Sequence, residues 1–175
     1  MALPRWAYRA YQFGFAILAK PEPDALERAR ELLTGNQFAL LAALQPHEQA
    51  HALTVLSRLE AQGETHPDLL VAALLHDVGK ACYPLTVWER ALAVLGNKFL
   101  PRRTHAWGQG EAEGWRTPFV VFERHPAWSA QMAAQNGVSP LAVALIRRHQ
   151  GPRPTTTDSI EDRLLAVLQA VDDES

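Results

Sequence analysis

The chain has 175 residues, 47% of them hydrophobic, with 17 basic and 19 acidic side chains and a formal net charge of −2. This length can bury a substantial core in one domain, and the balanced charge does not indicate a general nucleic-acid surface. The single cysteine, Cys82, excludes an internal disulfide and a cysteine zinc cage. No segment approaches the ~18 uninterrupted apolar residues of a membrane span. The apolar run at residues 13–19 is short and no small-residue cleavage site follows it, so a cytoplasmic protein is expected.

Residues 3–19 read as an amphipathic helix, with Trp6, Ala10, Phe13 and Ile17 at helical spacing. It offers a packing surface, a homodimer surface or, being basic and aromatic, a membrane-surface contact. Lys20-Pro21-Glu22-Pro23 breaks it, and a second helix over 24–33 stops at Thr34-Gly35-Asn36. Residues 38–44 form a short apolar turn or helix. Pro46 opens a helix to about residue 62, stopped by Gly63, with His47 and His51 on one face. Pro67 opens an apolar helix that runs into Leu74-Leu75-His76-Asp77-Val78-Gly79-Lys80, and Gly79 fits a left-handed stop. Residues 87–95 are helical again. Residues 96–118, rich in Gly, Arg and Trp, are expected to be a long loop, functional or mobile. Phe119-Val120-Val121-Phe122 alternates over too few residues to be read as a strand.

Three more helices are expected. His125-Pro126 stands at the mouth of the first, which ends at Asn136-Gly137. Ser139-Pro140 caps the second, which carries Leu141 and Leu145 and then His149. Asp158 and Glu161 have capping-box spacing for the third, which carries Leu164, Leu165, Leu168 and Asp172. The class is all-α.

A histidine and an aspartate at the end of so apolar a helix need partners, because burying either alone is costly. A divalent cation answers both, and the carbonyl end of a helix favours positive charge. Ligand-capable residues recur on or beside the apolar faces: His51, His76, Asp77, His125, His149 and Asp172, separated by 25, 1, 48, 24 and 23 residues. Such gaps let five antiparallel helices each bring a ligand to one point, as helix bundles do when they hold metal. Asp172 is chosen over Asp173 by helical phase. It continues the stripe of Leu164, Leu165 and Leu168, whereas Asp173 follows Gln169 and Ala166 and faces water. His66 and His105 fall outside the pattern and read as loop residues.

The order His … His-Asp … His … His … Asp, with Gly79-Lys80 after the doublet, resembles the HD-domain metal-dependent phosphohydrolase superfamily over roughly residues 46–173. The two additional histidines are closer to its two-metal, HD-GYP-like branch than to the one-metal nucleotidases. The resemblance implies an HD-domain helical core at 46–175 with an N-terminal helical extension at 1–45. It implies that His51, His76, Asp77 and Asp172 hold one metal, that His125 and His149 complete a second, and that Asp77 bridges them. Lys80 would contact the scissile phosphate, making Asp77 and Lys80 the catalytic pair. Gln150 stands where the branch often has a further histidine, and His47 stands where the HD-GYP type often has glutamate. The chain reads Gly151-Pro152-Arg153-Pro154 in place of a Gly-Tyr-Pro motif, so cyclic-di-GMP specificity has no support.

Mixed nitrogen and oxygen ligands suit one or two ions of Mn, Fe, Co, Ni or Zn. The expected function is hydrolysis of a phosphate ester, mono or di, in a nucleotide or other small phosphorylated substrate. Arg58, Arg102 and Arg103 are further candidates for binding that substrate. Two alternatives stay open: an HD-type oxygenase with a di-iron site, and a catalytically silent nucleotide-binding domain that signals through its N-terminal helices.

Overall fold

The computed structural model describes residues 20–175. The helix expected over 3–19 lies outside them. Nine α-helices follow in order among the described residues, with no strand: α1 Pro23–Leu32, α2 Gly35–Ala42, α3 Pro46–Ala61, α4 Pro67–Leu75, α5 Val87–Phe99, α6 Pro101–Gly108, α7 Thr117–Gln135, α8 Pro140–Arg148 and α9 Ile160–Glu174. No described helix is long and apolar enough to cross a membrane.

Local chemistry sets most of these boundaries. Proline sits in the first turn of α1, α3, α4, α6, α7 and α8, where its missing amide costs no helical bond. Thr34 and Thr86 form capping boxes with Gln37 and Glu89, which starts α2 where the sequence suggested only a stop. Gly63 and Gly137 take positive φ just past α3 and α7. The cap of α9 is Ser159, whose hydroxyl accepts from the Asp162 amide; the capping box expected from Asp158 and Glu161 is one residue out of register.

The centre of the fold is α4. Leu69, Leu70, Ala72, Ala73, Leu74 and Leu75 are all buried, and α1, α2, α3, α8 and α9 pack around them. Burial of each such leucine contributes roughly 1.5–3 kcal/mol. Ala29, Leu33, Leu41 and Leu44, from the segment ahead of α3, join the same buried cluster. Past α4 the chain tightens into a 3-10 turn, Val78–Cys82, that packs against α7.

Three expectations need correction. Residues 96–118 are not a long loop. They hold the end of α5, all of α6 and a 3-10 turn at Gly114–Arg116. Gly96 and Gly108 are interface residues in helices, since a Cβ at Gly96 would lie 2.7 Å from the Phe119 ring and one at Gly108 2.9 Å from the Phe119 carbonyl. Gly79 is not a left-handed stop either. A Cβ there would lie 2.5 Å from the His125 carbonyl and 2.8 Å from the Ser129 amide, so glycine is needed for the turn to touch the α7 backbone. Finally, His125 lies well inside α7, which begins at Thr117 and continues through Pro126.

Candidate metal centre

His51 projects from α3, His76 stands at the C-terminus of α4, and Asp77 opens the turn that follows. His125 lies within α7, His149 ends α8, and Asp172 sits near the end of α9. The fold brings all six together. His51 Nε2 is 2.9 Å from Asp172 Oδ1. His76 Nε2 is 3.4 Å from the same oxygen and 3.5 Å from Asp77 Oδ2. Asp77 Oδ1 is 3.1 Å from His125 Nε2 and 3.7 Å from His149 Nε2. Three overlapping groups result, each with one ligand atom per residue within 4.8 Å of the others: His51, His76 and Asp77; Asp77, His125 and His149; His76, His149 and Asp172.

Three of the imidazoles are oriented by one device. Nδ1 donates to a carbonyl of the ring's own helix: His76 to Ala73 at 2.8 Å, His149 to Ile146 at 2.8 Å, His125 to Val121 at 2.9 Å and Phe122 at 3.0 Å. His76 and His149 use carbonyls at helix C-termini, which lack backbone donors. In each ring this bond fixes the tautomer of the neutral imidazole, with its proton on Nδ1 and Nε2 turned to the interior, the arrangement of a metal-ligating histidine. The Nε2 atoms of His76, His125 and His149, with Asp77 Oδ1, are buried and lack any partner of hydrogen-bond geometry. Buried polar atoms rarely go without a partner. Four converging on one point fit a divalent cation.

The electrostatics suit the same reading. Burial opposes ionisation of Asp77, but Lys80 and His76 outweigh it and hold its carboxyl well below the usual range. Burial likewise opposes charge on Asp172, and the His51 hydrogen bond together with the nearby His76 ring holds its carboxyl well below the usual range. Burial would lower the His76 pKa, yet Asp77 and Asp172 raise it to about 9. Burial and the neighbouring His76 lower His149 to about 3, so this ring is neutral at physiological pH. Lys80 Nζ is 2.5 Å from Asp77 Oδ2. Burial works against the ammonium, but Asp77 raises its pKa, so it stays charged.

The centre opens onto a cavity of about 360 Å³, within the size range of small-molecule sites. His51, Asp77, Lys80 and His125 form one side; Leu85, Val94, Pro118, Val121 and Phe122 give an apolar wall.

The family model described as HD domain matches residues 49–173. The chain belongs to the HD-domain family. No curated protein and no solved structure matches it. HD domains bind divalent metals and belong to a metal-dependent hydrolase superfamily, and the His/Asp groups of this HD domain could hold such an ion.

Three arginines considered from sequence do not line the cavity. Arg58 donates to the Glu174 carbonyl at the end of α9. Arg102 and Arg103 are exposed in the first turn of α6. Of the two histidines read as loop residues, His66 does lie in the loop ahead of α4, as its N-cap, whereas His105 is in α6, 2.8 Å from Glu123. Other residues were missed. Arg90 of α5 lines the cavity, contacts the His47 ring and donates to Gln45 and the Leu85 carbonyl. Burial and Arg90 lower the His47 pKa to about 4. Glu48 is buried in the same wall. A signal existed for His47, which shares a helical face with His51. None existed for Arg90, which looks like an ordinary surface residue of an amphipathic helix.

Proposed function

We propose that this HD domain is a metal-dependent phosphohydrolase, cleaving a phosphate monoester or diester in a nucleotide or other small phosphorylated molecule. The observation that carries the reading is the convergence of three unpartnered Nε2 atoms and one Asp77 oxygen beside a charged Lys80 at a cavity. His51, His76, Asp77 and Asp172 would hold one ion. His125 and His149 would serve a second, with Asp77 shared. Nitrogen and oxygen donors of this kind suit Mn, Fe, Co, Ni or Zn. When bound, such ions supply Lewis acidity and a nucleophilic water at neutral pH.

The chain's own residues supply the rest. Asp77 carries negative charge into the base of the cavity and ties the ligands of α7 and α8 to those of α3 and α9. Lys80 offers an ammonium that an ion cannot coordinate, and that neutralises phosphoryl oxygen as charge builds in the transition state. Arg90 adds a second cation along the wall, and its guanidinium is held in place by Gln45 and Leu85. Leu85, Val94, Pro118, Val121 and Phe122 exclude water and accept the uncharged part of the ester. We assign this work to residues 46–175 and take residues 1–45 as an extension, of which Ala29, Leu33, Leu41 and Leu44 pack on the core.

Purified protein supplied with Mn and assayed against a panel of phosphate monoesters and diesters tests the reading. Metal-dependent phosphate release is expected. Metal-loaded protein that releases phosphate from no member of the panel would contradict it.

A further inference from the structure

Helix α5 has two faces of different character. Arg90 and Ala93 turn inward to the cavity. Trp88, Leu92, Leu95 and Phe99 fall at i, i+4, i+7 and i+11, one stripe along the opposite face. All four are exposed, Trp88 by 83% and Phe99 by 68%, and Leu100 continues the stripe into the corner before α6. The stripe runs for about 17 Å of helix. An apolar row of this length and content marks an interaction surface.

Charge identifies the partner. Residues 90–110 contain Arg90, Lys98, Arg102 and Arg103 and no acid. Lys98, Arg102 and Arg103 are exposed around the end of the stripe, and Lys98 Nζ lies 5.6 Å from the Phe99 ring centroid. At the other end, Glu89 is engaged by Thr86 in the cap of α5. In an antiparallel two-fold pairing with a second copy, the one acid of α5 that could meet these cations is Glu89, which Thr86 already engages. The first 20 residues fit no better, since they carry Arg5, Arg9 and Lys20 and no acid. Tryptophan, phenylalanine and leucine on one face, with lysine and arginine beside them, match what binds in the headgroup region of an anionic bilayer.

We propose that the outer face of α5, with the first turn of α6, docks on an anionic lipid surface. Trp88, Leu92, Leu95, Phe99 and Leu100 enter the headgroup boundary, and Lys98, Arg102 and Arg103 meet lipid phosphates and carboxylates. Docking here leaves the opposite face of α5, and with it the cavity wall, in place. The reading is independent of any turnover.

The test is sedimentation of the full chain with vesicles of phosphatidylcholine alone and of phosphatidylcholine mixed with phosphatidylserine. Binding to the mixed vesicles, weak binding to the neutral ones, and weakening with added salt are expected. Trp88→Ala/Phe99→Ala and Arg102→Ala/Arg103→Ala should each lower binding by about tenfold or more while leaving metal content unchanged. Absence of binding to the mixed vesicles, or binding at the wild-type level by either double variant, would overturn the proposal. So would a concentration-dependent wild-type dimer that Trp88→Ala/Phe99→Ala abolishes, which would assign the face to a second copy.

Discussion

His125 Nδ1 lies 3.0 Å from the carbonyl oxygen of Phe122, where the amide of residue 126 would sit had that residue not been proline. Proline inside a helix removes one backbone bond and costs about 3 kcal/mol. Here the freed carbonyl accepts from an imidazole, which fixes the tautomer that leaves Nε2 bare in the interior. His76 and His149 take the same ring orientation from carbonyls that helix ends leave free. A mid-helix histidine needs the proline to obtain one.

Pro126→Ala restores an amide donor to the Phe122 carbonyl, and His125 then shares its acceptors with the backbone. Metal affinity should fall by about tenfold, the lower end of what is lost when a ligand histidine loses its orienting partner. The melting temperature of the metal-free protein should not fall. Chelator competition and thermal unfolding on the same sample measure both. Unchanged affinity would make the proline merely tolerated.

Gly79→Ala should destabilise the protein by about 1–3 kcal/mol, because the new methyl meets backbone atoms that cannot step aside. The clash pushes the Asp77 turn from α7, so metal affinity should fall with stability. Gly35→Ala is the control, since a Cβ there meets nothing within 4 Å. Equal melting temperatures for the two variants would contradict the packing role of Gly79.

In the metal-free protein His76 is an imidazolium with a pKa of about 9, and an ion can bind only to the neutral ring. Loading at pH 7–8 should therefore release about one proton from His76, and affinity should rise with pH up to about 9. The folded-state pKa is raised, so its stabilisation of metal-free protein is full below the ordinary value of 6.5 and is lost as pH rises through about 9. Calorimetric titration in two buffers of different ionisation enthalpy counts the protons. No buffer dependence at pH 7 would mean His76 is already neutral.

Lys80→Ala should keep the metal and lose turnover by roughly 10²-fold, the scale for removing one electrostatic donor to a transition state. Lys80→Arg should recover part of it, with a planar fork in place of a point charge. Because Lys80 also pairs with Asp77, metal content and rate must be read on the same sample. Loss of metal would make Lys80 structural.

The all-α class was legible because apolar spacing, prolines and caps agree along most of the chain. Helical phase alone put Asp172 on the stripe of Leu164, Leu165 and Leu168 and left Asp173 outward; in the structure Asp172 meets His51 and Asp173 pairs with Arg153 at the surface. What sequence could not supply was tertiary contact. Gly79, Gly96 and Gly108 look like turn residues until α7 is seen against them. Residues 96–118 read as loop because Gly96 and Gly108 mimic punctuation, and Pro101, which starts α6, went unread as a helix signal. His125-Pro126 looks like a helix mouth because a buried proline inside a helix makes sense only once its freed carbonyl has found a donor. Arg90 and Glu48 join the cavity through contacts between helices that no local pattern encodes.

The most direct test of the central claim is the metal content, by elemental analysis, of protein made with Mn or Fe and purified without chelators, as wild type, Asp77→Ala and Asp173→Ala. About one to two equivalents per chain are expected for wild type and Asp173→Ala, with a marked loss in Asp77→Ala, whose carboxylate is shared between two of the ligand groups. Wild-type protein free of metal, or metal lost with Asp173 and kept without Asp77, would contradict the account.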